Sequence, residues 1–472
     1  MNPAVSPGRR RLTLAASVVG AVIVALDGTV LTVAQPALQR DLHASFAEAQ
    51  WTSTGYLIAV ASLLVFAGRV GDRYGHQRVF AVGVLGFGAA SAGIGAAPGI
   101  GWVIALRVVQ GVFGALLQPA TLGMLRAAYP PDRLGMPIAL RTSAIGLSAA
   151  AGPLVGGALV THLGWRAVFF LNVLPALATV VAALAVRAPA RRDGTTPAGG
   201  LDVPGACLLA VALVALVHTL TGFPGTDRPA ATVLGAAVCA AATVVFVRHE
   251  RRATHPLLPP GVLGPPAVGP ALGLLAAASA AMLGSLFVGS YFLQRTLGLD
   301  PSETSLRALP GAVAMVAGAP VAAMLTRRLG PRRTAVAGTG VLTLGVLLLS
   351  RLDETSTALS VGVGFLLLGA GFATVMVTAT EVVVRHVPAE AAGVAGGLQQ
   401  TAMNVGPTFG VATAATLMTL GTGVETGPPL TVLAAVSAVG VPLALRFPGH
   451  KRDTTADQGR RGQHAPPVRT RS

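Results

Sequence analysis

Asp27 stands alone among apolar neighbours. It lies in Leu26-Asp-Gly-Thr-Val-Leu-Thr-Val-Ala-Gln-Pro-Ala-Leu38, within an apolar run from about Leu12 to Val33. Such a run is long enough to cross a bilayer. A lone carboxylate at that depth is costly unless paired or protonated, and by default it marks an ion or proton pathway. Arg107, in Leu106-Arg-Val-Val-Gln-Gly-Val-Phe-Gly114, is equally isolated and needs a partner. Asp27 falls ~23 Å above the inner end of its span, and Arg107 roughly 20 Å above the inner face. Their depths nearly coincide, so contact is possible, although depth does not fix lateral position.

A second cluster, Gly68-Arg-Val-Gly-Asp-Arg-Tyr-Gly-His-Gln-Arg-Val79, links the second and third spans. Asp72 can accept hydrogen bonds from helix N-termini or arginines in one conformational state. Arg73 and Arg78 can pair with acidic groups or lipid phosphates. Topogenic charge would account for the arginines. It does not account for Gly68, Gly71 and Gly75 spaced around an aspartate. The remaining candidates are amides that could orient a substrate in a mostly apolar site: Gln110, Gln118, Gln399, Gln400 and Asn404, with packing or helix-bonding roles as alternatives.

These groups must be carried by helices able to move. Gly146, Gly152, Pro153, Gly156 and Gly157 interrupt the apolar run from about Met136 to Val160. In a soluble helix each glycine would cost about 1 kcal/mol and the proline about 3 kcal/mol. In a membrane the penalty is tolerated, and small residues let a neighbouring helix approach closely. Arg141, a turn or so into this span, can snorkel to the cytoplasmic surface. Glu381, near Arg385 and His386, reads as a solvated interfacial pair, and His218 as structural. With no second deep carboxylate in spans nine to thirteen, a specialist for divalent cations is disfavoured.

Composition sets the class. Of 472 residues only 11% are charged, against about a quarter in soluble domains, and mean hydropathy is +0.68. Apolar stretches of near-spanning length recur along the chain and predict an all-α polytopic membrane protein with fourteen spans. The first of them is too long for a signal core and contains Asp27, so it is read as a retained span. Basic residues recur in alternate loops, roughly a fourfold excess, which places both termini in the cytoplasm. The net charge of +16 therefore reflects topology, and no nucleic-acid partner is expected. Cys207 and Cys239 imply neither a disulfide nor a metal site. The single lysine, Lys451 in the tail, rules out a Walker A loop, so no cofactor is expected and the energy must come from an ion gradient or a partner. Enrichment in Ala, Gly, Arg and Pro points to a high-GC bacterium and its inner membrane.

The linker charge also divides the chain. Residues 1–11 form a cytoplasmic N-terminus, 12–189 a six-helix half, 190–264 a linker with two extra helices (202–221 and 230–247), 265–447 a second six-helix half, and 448–472 a disordered basic tail. Ala323-Met-Leu-Thr-Arg-Arg-Leu-Gly-Pro-Arg-Arg-Thr334 echoes the Gly68–Val79 loop, with Arg327 in place of Asp72. Such an echo is expected of a duplicated half.

Together these segments resemble the major facilitator superfamily, and specifically its fourteen-helix drug:proton antiporters, over essentially residues 12 to 447. The resemblance rests on Leu26–Leu38, Gly68–Val79, Leu106–Gly114, Gly146–Gly157, Leu163-Gly-Trp-Arg-Ala-Val-Phe-Phe-Leu-Asn-Val-Leu-Pro175 and Gly393–Pro407. Trp165 and Arg166 read as interfacial anchors. The resemblance implies two six-helix halves plus two central helices, a monomer in the lipid bilayer, and a small-molecule substrate exchanged for protons. It makes Asp27 and Arg107 the proton-coupling pair, the Gly68–Val79 loop an inner latch, and the glycine helix the mark of an exporter. In the second half, the stretch Gln400–Gly410 is read as lacking the glycine-proline pattern, so that the hinge is one-sided. An importer of a nutrient such as a sugar or carboxylate, and a transport-inactive sensor, stay open as alternatives. No enzyme is expected.

Overall fold

The computed structural model describes residues 7–44, 46–130, 133–185, 201–222, 229–254, 256–258, 260–299, 301–388, 391–420 and 426–449. The linker segment 190–200 and the tail from 450 lie outside them. The described residues are helical, with no strand among them. In the first half the helices are α1 (Pro7–Asp41), α2 (Phe46–Tyr74), α3 (His76–Gly95), α4 (Ile100–Ala128), α5 (Gly135–Leu163), α6 (Arg166–Phe170) and α7 (Val173–Ala185). The extra pair follows as α8 (Val203–Gly222) and α9 (Pro229–Glu250), then a short α10 (Pro260–Leu263). The second half holds α11 (Val268–Tyr291), α12 (Pro301–Leu329), α13 (Pro331–Leu349), α14 (Ala358–His386), α15 (Ala392–Leu420), α16 (Gly427–Ala438) and α17 (Gly440–Leu445). Among the described residues, ten helices are long and apolar enough to cross a membrane, with shorter apolar helices at Arg166–Thr179 and Val203–Leu216.

Helices dominate because an apolar segment in lipid must satisfy its backbone internally. Large apolar side chains face outward where lipid would lie: Leu174 and Leu359 are each 76% exposed. The turns obey a shared rule in both halves. Gly75, between α2 and α3, has φ +93°, and Gly330, between α12 and α13, has φ +83°. Only glycine enters that region without a steric penalty, so the loop and its echo make the same sharp turn.

The glycine-proline helix packs as its composition requires, and its counterpart corrects the one-sided hinge. A Cβ on Gly152 would fall on the Thr29 side chain, and one on Gly156 would meet Val30 Cγ1 at 2.9 Å. Thus α5 lies tight against α1. In α15, a Cβ on Gly406 or Gly410 would fall on the carbonyls of Ala276 and Ala280, so α15 lies equally tight against α11. Gly152-Pro153…Gly156 and Gly406-Pro407…Gly410 have the same spacing. The second half carries the pattern after all, without the final glycine. Gly146 serves another contact: its Cβ would meet Met315 Cε of α12 at 2.6 Å. Beside Gly157 a Cβ would meet nothing.

The halves meet at the end of the bundle that bears the Gly68–Val79 loop, here termed the loop end. Ser143 Oγ of α5 donates to the Val316 carbonyl of α12 at 2.7 Å. A Cβ on Gly397 of α15 would meet the Leu64 carbonyl of α2 at 2.5 Å, and one on Gly396 the Pro119 carbonyl of α4 at 3.1 Å. The extra helix α8 packs on both α2 and α15, bridging the halves. Its N-terminus is fixed by Asp202, whose Oδ1 accepts from Gly205 N and contacts His249 Nε2 of α9, each at 2.8 Å. Cys207 and Cys239 are free.

Candidate functional site

Asp27 and Arg107 are in contact. Arg107 Nη1 donates to Asp27 Oδ2 at 2.7 Å, with both side chains 1% exposed. Asp27 Oδ1 accepts from Gln110 Nε2 at 3.1 Å and Asn172 Nδ2 at 2.8 Å. Arg107 also donates to Gln110 Oε1 at 2.5 Å and, through Nε, to the Thr52 carbonyl at 2.9 Å. Gln110 Nε2 reaches Ser91 Oγ at 2.7 Å. The guanidinium lies over the Tyr56 ring at 4.3 Å and the Phe169 ring at 6.0 Å. A buried ion pair is tolerable when added hydrogen bonds satisfy its remaining lone pairs and protons. Here one carboxylate has three donors, and the cation has an aromatic face on which to spread its charge.

Local structure explains this convergence. Arg107 and Gln110 are one turn apart on α4 and so share a face. Asn172 projects from the break between α6 and α7. Gln110, a candidate for either substrate contact or packing, is wholly buried and belongs to the ion-pair network. Asn172, Ser91, Thr52 and Tyr56 were not singled out from sequence. Asn172 offered the clearest signal, as a lone amide in an otherwise apolar stretch of the sixth span.

The other amides form separate groups. Gln400 Nε2 donates to Gln118 Oε1 across the halves, and Asn404 Nδ2 donates to the Gln400 carbonyl at 2.8 Å. Gln399 is wholly buried, reaches Thr380 Oγ1 at 3.4 Å, and has an unpartnered Oε1. None of these touches Asp27 among the described contacts.

At the loop end, Asp72 Oδ1 accepts from Gly393 N at 2.7 Å and Oδ2 from Val394 N at 3.1 Å. Those amides lie in the first turn of α15, where backbone donors have no intrahelical partner and the dipole favours an anion. A Cβ on Gly68 would fall on the Gly393 carbonyl, and one on Gly71 would meet His76 Nδ1 at 2.6 Å. The glycine spacing thus lets the two helices touch. His76 Nε2 sits 3.3 Å from Asp72 Oδ1, a partner that charge patterning alone did not reveal. Arg73 lies over Tyr74 at 5.6 Å, and Arg78 is exposed.

Three expectations fail. Arg141 does not snorkel: it is 2% exposed, with its Nε unpartnered. Glu381 is no solvated pair: it is 5% exposed, and its Oε2 has no hydrogen-bond partner. Glu381 lies against Gly135 at the start of α5, so the opposite half contributes to its cover. The second half therefore does contain a buried carboxylate. Trp165 is not a lipid-facing anchor either. It is 3% exposed and donates through Nε1 to Asp41 Oδ2 at 2.8 Å, beside Arg166 Nη1 at 2.5 Å. The Trp165 hydrogen bond, then that of Arg166, holds the Asp41 carboxyl below its ordinary range.

The sequence profile of the Major Facilitator Superfamily matches residues 17–411. The chain belongs to the major facilitator superfamily. It is 43% identical over 416 residues to a tetracenomycin C resistance and export protein of Streptomyces glaucescens, covering 87% of this chain and 76% of that one. Identity is 34% over 438 residues to the puromycin resistance protein pur8 of Streptomyces alboniger, covering 90% and 86% respectively. It is 30% over 419 residues to the multidrug efflux pump LfrA of Mycolicibacterium smegmatis, covering 88% and 82%. Among solved structures, the human organic anion transporter MFSD10 superposes with TM-score 0.64 at 16% identity, over 93% of this chain and all of that one. The proton:xylose symporter XylE gives TM-score 0.65 at 12% identity, over 94% and 96%. The last two establish the fold of this major facilitator protein and nothing further.

Proposed function

We propose that this protein exports hydrophobic or amphipathic small molecules of the antibiotic or drug type across a bacterial inner membrane, in exchange for protons, by alternating access. The observation that carries the coupling is the Asp27–Arg107 pair, sealed inside the first half at 2.7 Å. The resistance and export relatives support the direction of transport. In this scheme the loop end faces the cytoplasm with both termini, fourteen helices span the bilayer, and the monomer needs no cofactor beyond the proton gradient.

The chemistry follows from the contacts. Protonating Asp27 removes the charge that holds Arg107 Nη1, while Thr52, Gln110 and the Tyr56 face keep the guanidinium in place. The relaxed pair lets the helices of the first half shift, and the halves rock about the α5–α12 contact at Ser143 and Gly146. Substrate binds between the halves, near Gln118, Gln400 and Asn404. The Asp72–α15 contact must break for the loop end to open. Asp27→Asn should abolish pH-driven efflux in everted vesicles while leaving insertion intact. Undiminished pH-driven transport by that variant would overturn the assignment, and counterflow in proteoliposomes separates export from import.

A further inference from the structure

The loop and its echo differ at one position: Asp72 of the first half corresponds to Arg327 of the second. Asp72 closes its side of the loop end by seating on the N-terminus of α15. By the same internal symmetry, the N-terminus of α5 should meet an acid from the second half, yet α12 offers an arginine there. The geometry points to Glu381 of α14 as the replacement: a carboxylate from the neighbouring helix that latches the second half onto the N-terminus of α5.

Five observations agree. Glu381 is 5% exposed although its helix ends only five residues later. Its Oε2 would lie 2.7 Å from a Cβ on Gly135, the first residue of α5, so only glycine leaves room for the carboxylate. The N-terminus of α5 has no side-chain cap of its own, which leaves its first-turn donors and positive dipole end without an anion from its own half. Arg385, and after it Arg327, are near enough for their charge to act on Glu381, without an ion pair to either among the described contacts. Val384, one turn on, packs against Leu134, Ile138 and Leu125 of the first half, so this face of α14 is committed to the inter-half contact.

The latch acts on the closed loop end rather than on substrate, so it requires alternating access and not a particular cargo. The test uses the full chain in lipid nanodiscs, with Cys207 and Cys239 replaced by serine and Ala139→Cys as reporter. Ala139 of α5 is wholly buried in the cluster formed mainly by second-half residues, so a soluble maleimide reaches it only when the loop end opens. Glu381→Gln should raise the labelling rate about fivefold, as loss of an anion at a helix N-terminus implies. Asp72→Asn should do the same, and the two factors should multiply, because the latches sit at separate helix ends. Gly135→Ala, which evicts the carboxylate but leaves it in the chain, should reproduce the effect, and Glu381→Gln should then add nothing. An unchanged rate in Glu381→Gln, or factors that multiply between Glu381→Gln and Gly135→Ala, would overturn the latch. Should Glu381→Gln fail to insert, an unchanged rate in Gly135→Ala overturns it equally. Labelling needs no substrate, so a failed efflux assay leaves this result standing.

Discussion

The two halves share a skeleton and differ in chemistry. Both make a glycine turn at the loop (Gly75, Gly330), and both press a Gly-Pro-x-x-Gly helix onto their first helix. In the first half the buried space beside that contact holds Asp27, Arg107, Gln110 and Asn172. In the second, the wholly buried polar side chains of α11 are Ser279 and Ser285, which carry no charge. Ser279 Oγ donates to Met403 Sδ at 3.1 Å. The packing is matched, and the buried ion pair belongs to the first half alone among the described residues. The second half's carboxylate lies at the loop end, where it meets the other half. The difference teaches that the two halves use charge in separate places: an ion pair buried within the first half, and carboxylates at the seam between the halves.

Arg107→Ala should break this comparison most severely. It leaves a buried carboxylate without its counter-charge, a change that costs roughly 3–5 kcal/mol in buried pairs. The unfolding midpoint in detergent should fall steeply. The pair variant Asp27→Asn with Arg107→Gln should be less damaging than Arg107→Ala alone, because no unpaired charge remains. If the pair variant is the worse of the two, electrostatics is not what the first half adds to the skeleton.

The packing half of the comparison predicts smaller, matched effects. Gly152→Ala and Gly406→Ala each force a methyl onto a facing helix, at about 1–3 kcal/mol of overpacking. Both should slow transport by similar factors when measured at saturating substrate. A strong effect at Gly152 with none at Gly406 would restore a one-sided hinge.

These contrasts show what was legible in the sequence and why. Membrane class, helix content and the loop repeat follow from periodicity and composition, which a single chain displays directly. The Asp27–Arg107 contact was open on depth alone, because hydropathy reports height in the bilayer and not azimuth. Asn172 was missed for that reason: its helix breaks at that point, and no pattern shows which way the break turns its side chain. The burial of Glu381 is not legible in its own segment, because Gly135 of the opposite half lies against it. Arrangements between elements distant in sequence leave no local signal. The Gly406–Gly410 pattern is readable in the sequence and differs from Gly152–Gly157 only in lacking a final glycine. Yet Gly157, the residue that lacks a counterpart, has nothing within reach of a Cβ.

Asn172→Ala sharpens the first half further. It removes one of three donors to Asp27, and leaving such a buried acceptor short costs about 1–3 kcal/mol. The unfolding midpoint should fall, and pH-driven efflux in everted vesicles should be weakened but not abolished. A loss of stability with efflux unchanged would make Asn172 a packing residue.

The smallest effect is expected at the end opposite the loop, where Asp41 ties the end of α1 to Trp165 and Arg166. The Trp165 and Arg166 contacts hold its folded-state carboxyl below the ordinary value of 3.8. A carboxylate lowered in the folded state contributes stability that is fully present above its ordinary value and is lost as pH falls through the folded one. Asp41→Asn should therefore lower the unfolding midpoint slightly at pH 6 to 8, and the gap from the parent should close as the pH drops below about 4. Because Asp41 is exposed, added salt should narrow that gap as well. A gap that persists in acid would mean that the substitution costs something other than the carboxylate's charge. The ion pair with Arg166 would then add nothing to the fit of α1 against α6, and the first half's use of charge would be confined to its buried pair.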